Sequence, residues 1–149
     1  MSAALTLALP EHFDRLDALV AAFHAEEGIT LNAEARAAGL KPLLDGIPHG
    51  AAYLIGPPRA PIGYVIVTFG WSVEFGGMDG FVDEIFVRPG VRGRGVASEV
   101  LLALPRALAG AGVKALHLEV AQDNEAAQRL YARSGFGLRS GYHLMTRKL

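Results

Sequence analysis

The apolar positions in the first third of the chain predict one strand followed by two helices. Residues 5–10 form a short apolar run that ends at a proline, as a strand does. Between residues 11 and 28 the apolar positions recur at helical spacing, and a glycine stands where that pattern ends. Residues 32–45 predict a second short helix, which Gly39 and Pro42 are expected to break.

The middle of the chain has the composition of a sheet. Residues 51–56 and 61–71 are rich in β-formers and are joined by a proline-rich connection, which predicts a hairpin. A third strand is expected at residues 81–87, reached through the glycine-rich turn at residues 76–80.

Helices and strands alternate in the last third of the chain. A helical pattern follows Gly95, a strand is expected at residues 115–121, and residues 124–136 predict another helix that ends at Gly135. Residues 142–149 close the chain as a final predicted strand. The whole order, βα(α)βββαβαβ, indicates an α/β domain with a mixed sheet. We expect residues 1–149 to form a single domain.

Composition narrows the class of protein. The chain is 51% hydrophobic and 19% charged, which is typical of a globular protein. It has no cysteine, so disulfides, zinc-thiolate sites and cysteine nucleophiles are excluded, and no metal site is expected. Neither a signal peptide nor a membrane span is recognisable, which predicts a cytoplasmic protein without a membrane partner.

The charge is distributed unevenly. Residues 1–87 are net acidic by seven charges and residues 88–149 are net basic by six, although the whole chain carries only −1. This polarity favours an anionic ligand near the C-terminal part and a cationic one near the N-terminal part. A nucleic-acid partner is not expected, because binding to the phosphate backbone usually requires a net basic domain.

A loop rich in arginine and glycine lies between the strand ending at Val87 and the next helix. Gly93 and Gly95 leave the first backbone N–H groups of that helix accessible, and Arg92 and Arg94 can add charge-assisted contacts to phosphate. The spacing is neither that of a Walker A loop nor that of a Rossmann fingerprint. Residue chemistry alone leaves two readings open, a pyrophosphate site and a tight strand-to-helix turn.

The loop resembles a signature of the GNAT superfamily of acyl-CoA N-acyltransferases. In that signature a glutamine or arginine is followed by a glycine three residues later and a small residue two further on, as at Arg92, Gly95 and Ala97. A second family landmark is matched by a strand at residues 115–120 and by a helix that opens at an asparagine and ends in Gly-Phe, residues 124–136. The resemblance is close over residues 62–149 and extends to the N-terminal part in element order only.

The resemblance implies a fold and a co-substrate. The fold would be α/β (α+β), with a mixed, mostly antiparallel sheet of six to seven strands and about four helices. The co-substrate would be acetyl-CoA, and the oxyanion would be held at a strand bulge near Phe86 and Val87. The residues expected to bind the cofactor are Ile85, Phe86, Val87, Arg92, Gly93, Arg94, Gly95, Val96, Ala97, Asn124 and Tyr131.

Three side chains are candidates for the chemistry of acetyl transfer. The resemblance makes Tyr131 the acid for the leaving thiolate, on the same helix face as Asn124 because two turns separate them. Glu84 is preferred as the base, with Asp83 as the second candidate. Because the two residues are adjacent in a strand, their side chains are expected to point to opposite faces of the sheet. Each assignment has a structural alternative. Tyr131 would pack on the sheet, Asn124 would serve as an N-cap only, and the carboxylates would form a charge pair within the sheet.

The acceptor is expected to be a small cationic amine. Carboxylates and aromatic rings share the segments that wall the acceptor site in the family, and this combination suits a cation. The substrate-binding candidates are Phe23, Glu27, Trp71, Glu74, Glu84 and Glu119. The alternative is that the rings are core residues and the glutamates a solvated surface.

Two classes of function remain from the sequence. The first is an N-acetyltransferase that moves an acetyl group from acetyl-CoA to a primary amine. The second is a non-catalytic module that senses acyl-CoA or binds a partner. A homodimer is compatible with the sequence but not required by it.

Overall fold

The structure, a computed structural model, describes residues 4–149. The chain forms two compact units, one extending to Glu119 and the other from Val120 to Leu149. In chain order the elements are β1 (Leu5–Leu7), α1 (Phe13–Glu27), α2 (Ala33–Leu44), β2 (Gly50–Ile55), β3 (Gly63–Ser72), β4 (Gly77–Val87), α3 (Val96–Gly110), β5 (Ala115–Leu118) and α4 (Glu125–Arg133), with 3₁₀ turns at Pro10–His12 and Pro89–Val91.

The first unit is built on a five-stranded sheet whose spatial order follows the chain from β1 to β5. Neighbouring strands are antiparallel except β4 and β5, which are parallel and therefore need the crossover helix α3 between them. The α/β class and the mixed, mostly antiparallel sheet are thus confirmed. The described residues contain five strands, rather than the six to seven expected.

Each face of this sheet carries its own core. One core packs α3 on side chains of β3 and β4 such as Val65, Val67 and Val82. The other packs α1 and α2 on the opposite face, against Tyr64 and Phe86 among others. Alternation along each strand sends neighbouring residues to different cores, which explains why these strands are apolar throughout.

Helix α2 is continuous, so the expected break at Gly39 and Pro42 was wrong. Pro42 lies in the last turn, where a missing N–H removes only one intrahelical hydrogen bond. The helix begins with an N-cap in which Asn32 Oδ1 accepts a hydrogen bond of 2.8 Å from the Ala35 N–H. Leu40 is buried against the sheet, and this packing offsets the weak propensity of the glycine.

Strand β4 begins four residues earlier than predicted, because part of the glycine-rich segment is itself extended. Gly77 pairs with Ser72 and Asp79 with Gly70, so the hairpin turn is confined to residues 73–76. Pairing on both sides by β3 and β5 outweighs the turn preference of the glycines.

A β-bulge interrupts β4 at Asp83. The register pairs Val82 with Val67 and Glu84 with Ile66, which leaves Asp83 as the extra residue. Val82 consequently belongs to one core, whereas Glu84, two residues later, reaches Tyr64 in the other. The bulge was expected near Phe86 and Val87, and its position at Asp83 corrects that prediction.

The second unit contains α4 and the C-terminal segment. Asn124 Oδ1 accepts a hydrogen bond of 3.1 Å from the Ala127 N–H and so caps α4, while Gly135 adopts a left-handed φ of 95° just after the helix. The final strand predicted at residues 142–149 does not form. A strand requires a partner for its backbone groups, and no ladder among the described residues includes this segment.

Gly63 is expected to be indispensable to the first unit. A Cβ at this position would overlap the Phe86 carbonyl oxygen across the β3–β4 ladder, and backbone cannot move aside as a side chain can. We expect Gly63→Ala to lower the free energy of unfolding by about 3 kcal/mol. Urea unfolding measures the loss.

Gly39→Ala is the matched control for this exchange. Its Cβ would meet open space on α2, so alanine should stabilise the protein by about 0.5–1 kcal/mol. Equal effects of the two substitutions would contradict the steric explanation.

Candidate active site

The loop between β4 and α3 presents backbone donors to solvent. Gly93 and Gly95 both adopt a φ of 79°, in the left-handed region that favours glycine. A Cβ at either position would meet no atom within 4 Å, so the glycines are required by backbone conformation and not by packing against the protein.

Helix α3 begins at Val96 with its first-turn donors unused. The first intrahelical bond of the helix is donated by the Glu99 N–H to Gly95 O over 3.0 Å. The N–H groups of residues 96–98 precede that bond and have no intrahelical acceptor. Together with the positive end of the helix dipole, this geometry is suited to an anion.

Arg92 ties this loop to two other elements. Its Nε donates to Val87 O over 2.8 Å, its Nη2 donates to both oxygens of Glu26 over 2.9 and 2.8 Å, and its guanidinium lies 5.4 Å from the centre of the Phe86 ring. The side chain is therefore engaged in holding the loop against α1 and β4. Both arginines are exposed, but among the described residues Arg94 is not held by such contacts.

The edge of β4 that faces away from β3 is open beyond the bulge. Strand β5 pairs with β4 only from Asp79 to Val82 in the described chain. The Arg88 N–H donates to Ile62 O on the β3 side, and antiparallel strands alternate the direction of their backbone groups. Ile85 and Val87 therefore direct their N–H groups to the open edge, whereas Phe86 directs its own to β3.

Glu84 is held by two donors on the face covered by α1. The Tyr64 hydroxyl donates to Glu84 Oε1 over 2.6 Å, and His24 Nε2 lies 2.8 Å from Glu84 Oε2. The Glu84 side chain is 16% exposed. Burial, followed by the hydrogen bond and the negative charge of Glu84, raises the pKa of Tyr64 far above its usual value, so the tyrosine remains a donor.

Asp83 differs from Glu84 in every one of these respects. It occupies the bulge, its side chain is exposed, and within residues 4–149 its carboxylate forms no hydrogen bond or ion pair. The surrounding protein partly desolvates this carboxylate and so raises its pKa, the charges of Glu84 and Glu119 raise it further, and His24 lowers it.

Comparison with known proteins assigns the chain to a family. The sequence model of the Acetyltransferase (GNAT) family matches residues 16–136. The chain belongs to the GNAT acetyltransferase family. This match confirms the family resemblance of the two sequence motifs. As a GNAT protein the chain is an acyltransferase. A comparison with functionally curated proteins gave no significant match.

Solved structures agree with the family assignment. Integron cassette protein HFX_CASS3, from the mobile metagenome of Cole Harbour Salt Marsh, is 32% identical with a TM-score of 0.83, over 97% of this chain and 90% of that one. AAC(6')-Iy, solved with the bisubstrate analogue CoA-S-monomethyl-acetylneamine, is 18% identical with a TM-score of 0.81, over 100% and 99%. Ribosomal-protein-alanine N-acetyltransferase from Brucella melitensis biovar Abortus 2308 is 18% identical with a TM-score of 0.75, over 99% of both chains. At 18% identity the last two show likeness of fold alone.

The acceptor-side residues predicted for this GNAT protein are dispersed in the structure. Phe23 belongs to the core, since its ring lies 6.3 Å from Tyr64 and 5.9 Å from Phe86. Trp71 is 76% exposed near the end of β3. Three further candidates lie on the surface, Glu27 at the end of α1, Glu74 in the β3–β4 turn and Glu119 just after β5, whereas Glu84 is the mostly buried carboxylate described above.

Sequence reasoning missed two polar residues of the first unit that contact Glu84. Tyr64 and His24 were not singled out as partners of Glu84, although a carboxylate in an otherwise apolar strand indicates that buried donors lie nearby. Asp79 was given no partner, yet its Oδ2 lies 3.1 Å from His117 Nε2, beside the Phe75 and Phe81 rings. No group of three or more candidate metal ligands occurs among the described residues, and no helix among them is long and apolar enough to cross a membrane.

Asn124 and Tyr131 lie on α4 in the second unit. Asn124 is the N-cap that the structural alternative foresaw, and this cap uses its Oδ1 but not its Nδ2 donors. The Tyr131 ring lies edge-on to Phe136 at 6.2 Å, and the Phe136 N–H donates to Tyr131 O over 3.0 Å. The Gly-Phe that ends the motif therefore anchors the tyrosine within its own unit.

We expect the Tyr64–Glu84 hydrogen bond to stabilise the fold measurably. Tyr64→Phe keeps the ring in its aromatic cluster but leaves Glu84 Oε1 without its donor in a buried site. The free energy of unfolding should fall by about 1–3 kcal/mol. Urea unfolding measures this loss against Tyr53→Phe, which alters a half-buried tyrosine at the other core. Equal effects of the two exchanges would show that the hydrogen bond contributes nothing specific.

Proposed function

We propose that this protein is an N-acetyltransferase that moves an acetyl group from acetyl-CoA to the primary amine of a small cationic molecule. The observation that carries the proposal is the loop at residues 92–97, whose two left-handed glycines and unused first-turn amides of α3 form a cradle for an anion. In the GNAT family this loop would receive the pyrophosphate of coenzyme A. AAC(6')-Iy, which has the same fold, was solved with a CoA-containing bisubstrate analogue.

The backbone is the main donor to the pyrophosphate in this proposal. The amides of Gly93, Arg94, Gly95, Val96 and Ala97 supply hydrogen bonds, and Arg94 supplies an exposed positive charge. Arg92 contributes by fixing the loop, because its guanidinium is already paired with Glu26 and Val87 O.

The open edge of β4 would hold the acyl end of the cofactor. Ile85 and Val87 direct their N–H groups to that edge, where they can pair with the pantetheine arm and stabilise the oxyanion of the tetrahedral intermediate. The backbone groups of Phe86 point to β3 and therefore do not take part in this role. Its side chain belongs to the core.

Acetyl transfer also requires a base for the amine and an acid for the thiolate. The Asp83–Glu84 pair supplies the base and attracts a cation to the acceptor site, with Glu119 adding a third carboxylate within electrostatic reach of Asp83. Tyr131 is proposed as the acid and Asn124 as a pantetheine ligand, because both occupy their positions in the family motif.

The preference for a small cationic acceptor rests on charge. Most of the acidic residues lie in residues 1–87, whereas most of the basic residues lie after residue 87. Neighbours of the same fold include an aminoglycoside acetyltransferase and a ribosomal-protein acetyltransferase, so a protein amine is the competing acceptor. A panel of diamines, aminosugars and amino acid derivatives, set against peptides with free N-termini, separates the two.

Calorimetric titration of acetyl-CoA, free CoA and NAD into the full chain tests the cofactor assignment. We expect micromolar binding of both CoA species and none of NAD. The amine panel is then screened by release of the CoA thiol. Failure of both CoA species to bind would overturn the proposal, and binding without thiol release from any amine would favour the non-catalytic acyl-CoA sensing module.

A further inference from the structure

We infer that Asp83, and not Glu84, takes the proton from the acceptor amine, and that Tyr64 and His24 hold Glu84 as a fixed anion beside it. The inference rests on the proposed function and assigns separate roles to two carboxylates that the sequence treats as equivalent candidates. It also gives a role to Tyr64 and His24, to which neither sequence motif assigns one.

Glu84 is poorly placed to exchange protons with a substrate. Each of its oxygens already meets a hydrogen-bonding partner, the Tyr64 hydroxyl at 2.6 Å and His24 Nε2 at 2.8 Å. With Glu84 ionised, both partners must carry the shared hydrogen. A proton on Glu84 would remove the negative charge that strengthens both hydrogen bonds within this mostly buried site.

Among the described residues, Glu84 is the one hydrogen-bonding partner of the His24 side chain. It lies on α1 and is 8% exposed, and its second ring nitrogen, Nδ1, is buried without a partner in the part of the chain that the structure describes. The hydrogen bond between His24 and Glu84 therefore connects α1 to β4, the strand that carries the bulge. His24 and Tyr64 are therefore positioning residues for this segment of β4.

Asp83 has the geometry that Glu84 lacks. As the extra residue of the bulge it is exposed, and within residues 4–149 no side chain occupies its oxygens. The open edge of β4, where Ile85 and Val87 direct their N–H groups, begins directly after it. An amine that attacks a carbonyl held at this edge would pass Asp83.

The surrounding charges favour proton uptake by Asp83. Partial desolvation is the largest cause of the raised pKa of Asp83; the charges of Glu84 on β4 and Glu119 after β5 raise it further, whereas His24 on α1 lowers it. Tyr64 on β3 is the fourth titratable group in range, and it remains neutral because its own pKa is raised. A fixed negative charge on Glu84 thus makes its neighbour the stronger base.

The transfer step balances as follows. Asp83 accepts one proton from the substrate ammonium and releases it to solvent, to which it is exposed. The neutral nitrogen attacks the thioester carbonyl, so that a C–N bond forms and the C–S bond breaks. The nitrogen then gives its second proton to Asp83, which has already released the first to solvent. Tyr131, the proposed acid, protonates the departing thiolate and regains its proton from solvent, so that one proton is released overall.

Asp83→Asn and Glu84→Gln distinguish the two carboxylates. With an amine found in the panel, we expect Asp83→Asn to reduce kcat/KM by about 10²–10⁴-fold. Glu84→Gln should lose about tenfold and move the acid limb of the pH profile to lower pH, because removal of a neighbouring negative charge lowers the pKa of Asp83. The reverse order of losses, or an acid limb that Glu84→Gln leaves in place, would overturn the inference.

Glu119→Gln provides a second variant in case a change at the buried Glu84 prevents folding. Glu119 is exposed, and its charge raises the pKa of Asp83 from outside the hydrogen-bonded array. Its removal should shift the acid limb in the same direction. An unchanged limb here would count against electrostatic control of Asp83.

Direct titration of Asp83 tests the inference without any turnover. In protein carrying ¹³C-labelled aspartate carboxyls, the Asp83 signal is the one missing from Asp83→Asn. We expect its midpoint to lie above the usual aspartate value of 3.8 and to fall in Glu84→Gln. An ordinary midpoint that Glu84→Gln does not change would refute the inference, whereas absence of amine acetylation with a raised midpoint would refute only the proposed function.

Discussion

Gly95→Ala is expected to abolish detectable CoA binding at micromolar cofactor while leaving the protein folded. The residue has a φ of 79°, and its missing Cβ faces open space in the structure. A methyl group there would meet no protein atom, but it would project from the surface proposed to receive the pyrophosphate. Adopting the left-handed conformation would also cost alanine about 1–2 kcal/mol.

The loss of binding free energy for CoA should exceed the conformational cost to the folded protein. A loss of affinity on the order of 100-fold corresponds to about 2.7 kcal/mol in binding, measured by calorimetric titration of acetyl-CoA. Gly46→Ala is the matched control, because Gly46 has a φ of 86° and equally open surroundings, far along the chain from the loop. Both variants should lose similar stability, and only Gly95→Ala should lose CoA. Equal CoA affinities in the two variants would exclude the loop as the pyrophosphate site.

Tyr131→Phe should separate an acetyltransferase from a sensor of acyl-CoA. The exchange removes one hydroxyl and keeps the ring that lies against Phe136. If Tyr131 protonates the thiolate, kcat should fall by about 10²–10⁴-fold. The affinity for acetyl-CoA should change little, because the pyrophosphate contacts do not involve this residue.

Thiol release and calorimetry on the same samples provide the two measurements. Tyr142→Phe is the control, since Tyr142 lies in the same unit but is largely exposed. Full turnover by Tyr131→Phe would remove the tyrosine from the mechanism. If the wild-type protein binds acetyl-CoA without releasing its thiol, and Tyr131→Phe binds acetyl-CoA equally well, the result would instead indicate the sensing module.

The two carboxylates on β4 show why a strand pattern cannot assign a catalytic residue. Strict alternation places Val82 and Glu84 on the same face, but the bulge at Asp83 sends them to different ones. A bulge depends on how two strands align, and no local run of residues specifies that alignment.

The C-terminal segment illustrates the same limit in the opposite direction. Residues 142–149 were predicted to form a strand, yet they pair with no strand among the described residues. Helix α2 similarly passes through Gly39 and Pro42, because burial of Leu40 against the sheet outweighs local preference. Local propensity decides an element only where packing and pairing do not oppose it.

The sequence by itself determined the fold class, the GNAT resemblance and the position of the loop proposed to bind the cofactor. Each depends on short-range features, namely apolar periodicity, glycines that permit left-handed backbone, and a helix start directly after a strand. Only the tertiary structure decided which backbone groups of β4 are open, that Arg92 is paired with Glu26, and that Tyr64 and His24 occupy the oxygens of Glu84. Those contacts join residues 20 to 66 positions apart, and their formation depends on strand register and helix docking, which the whole core determines.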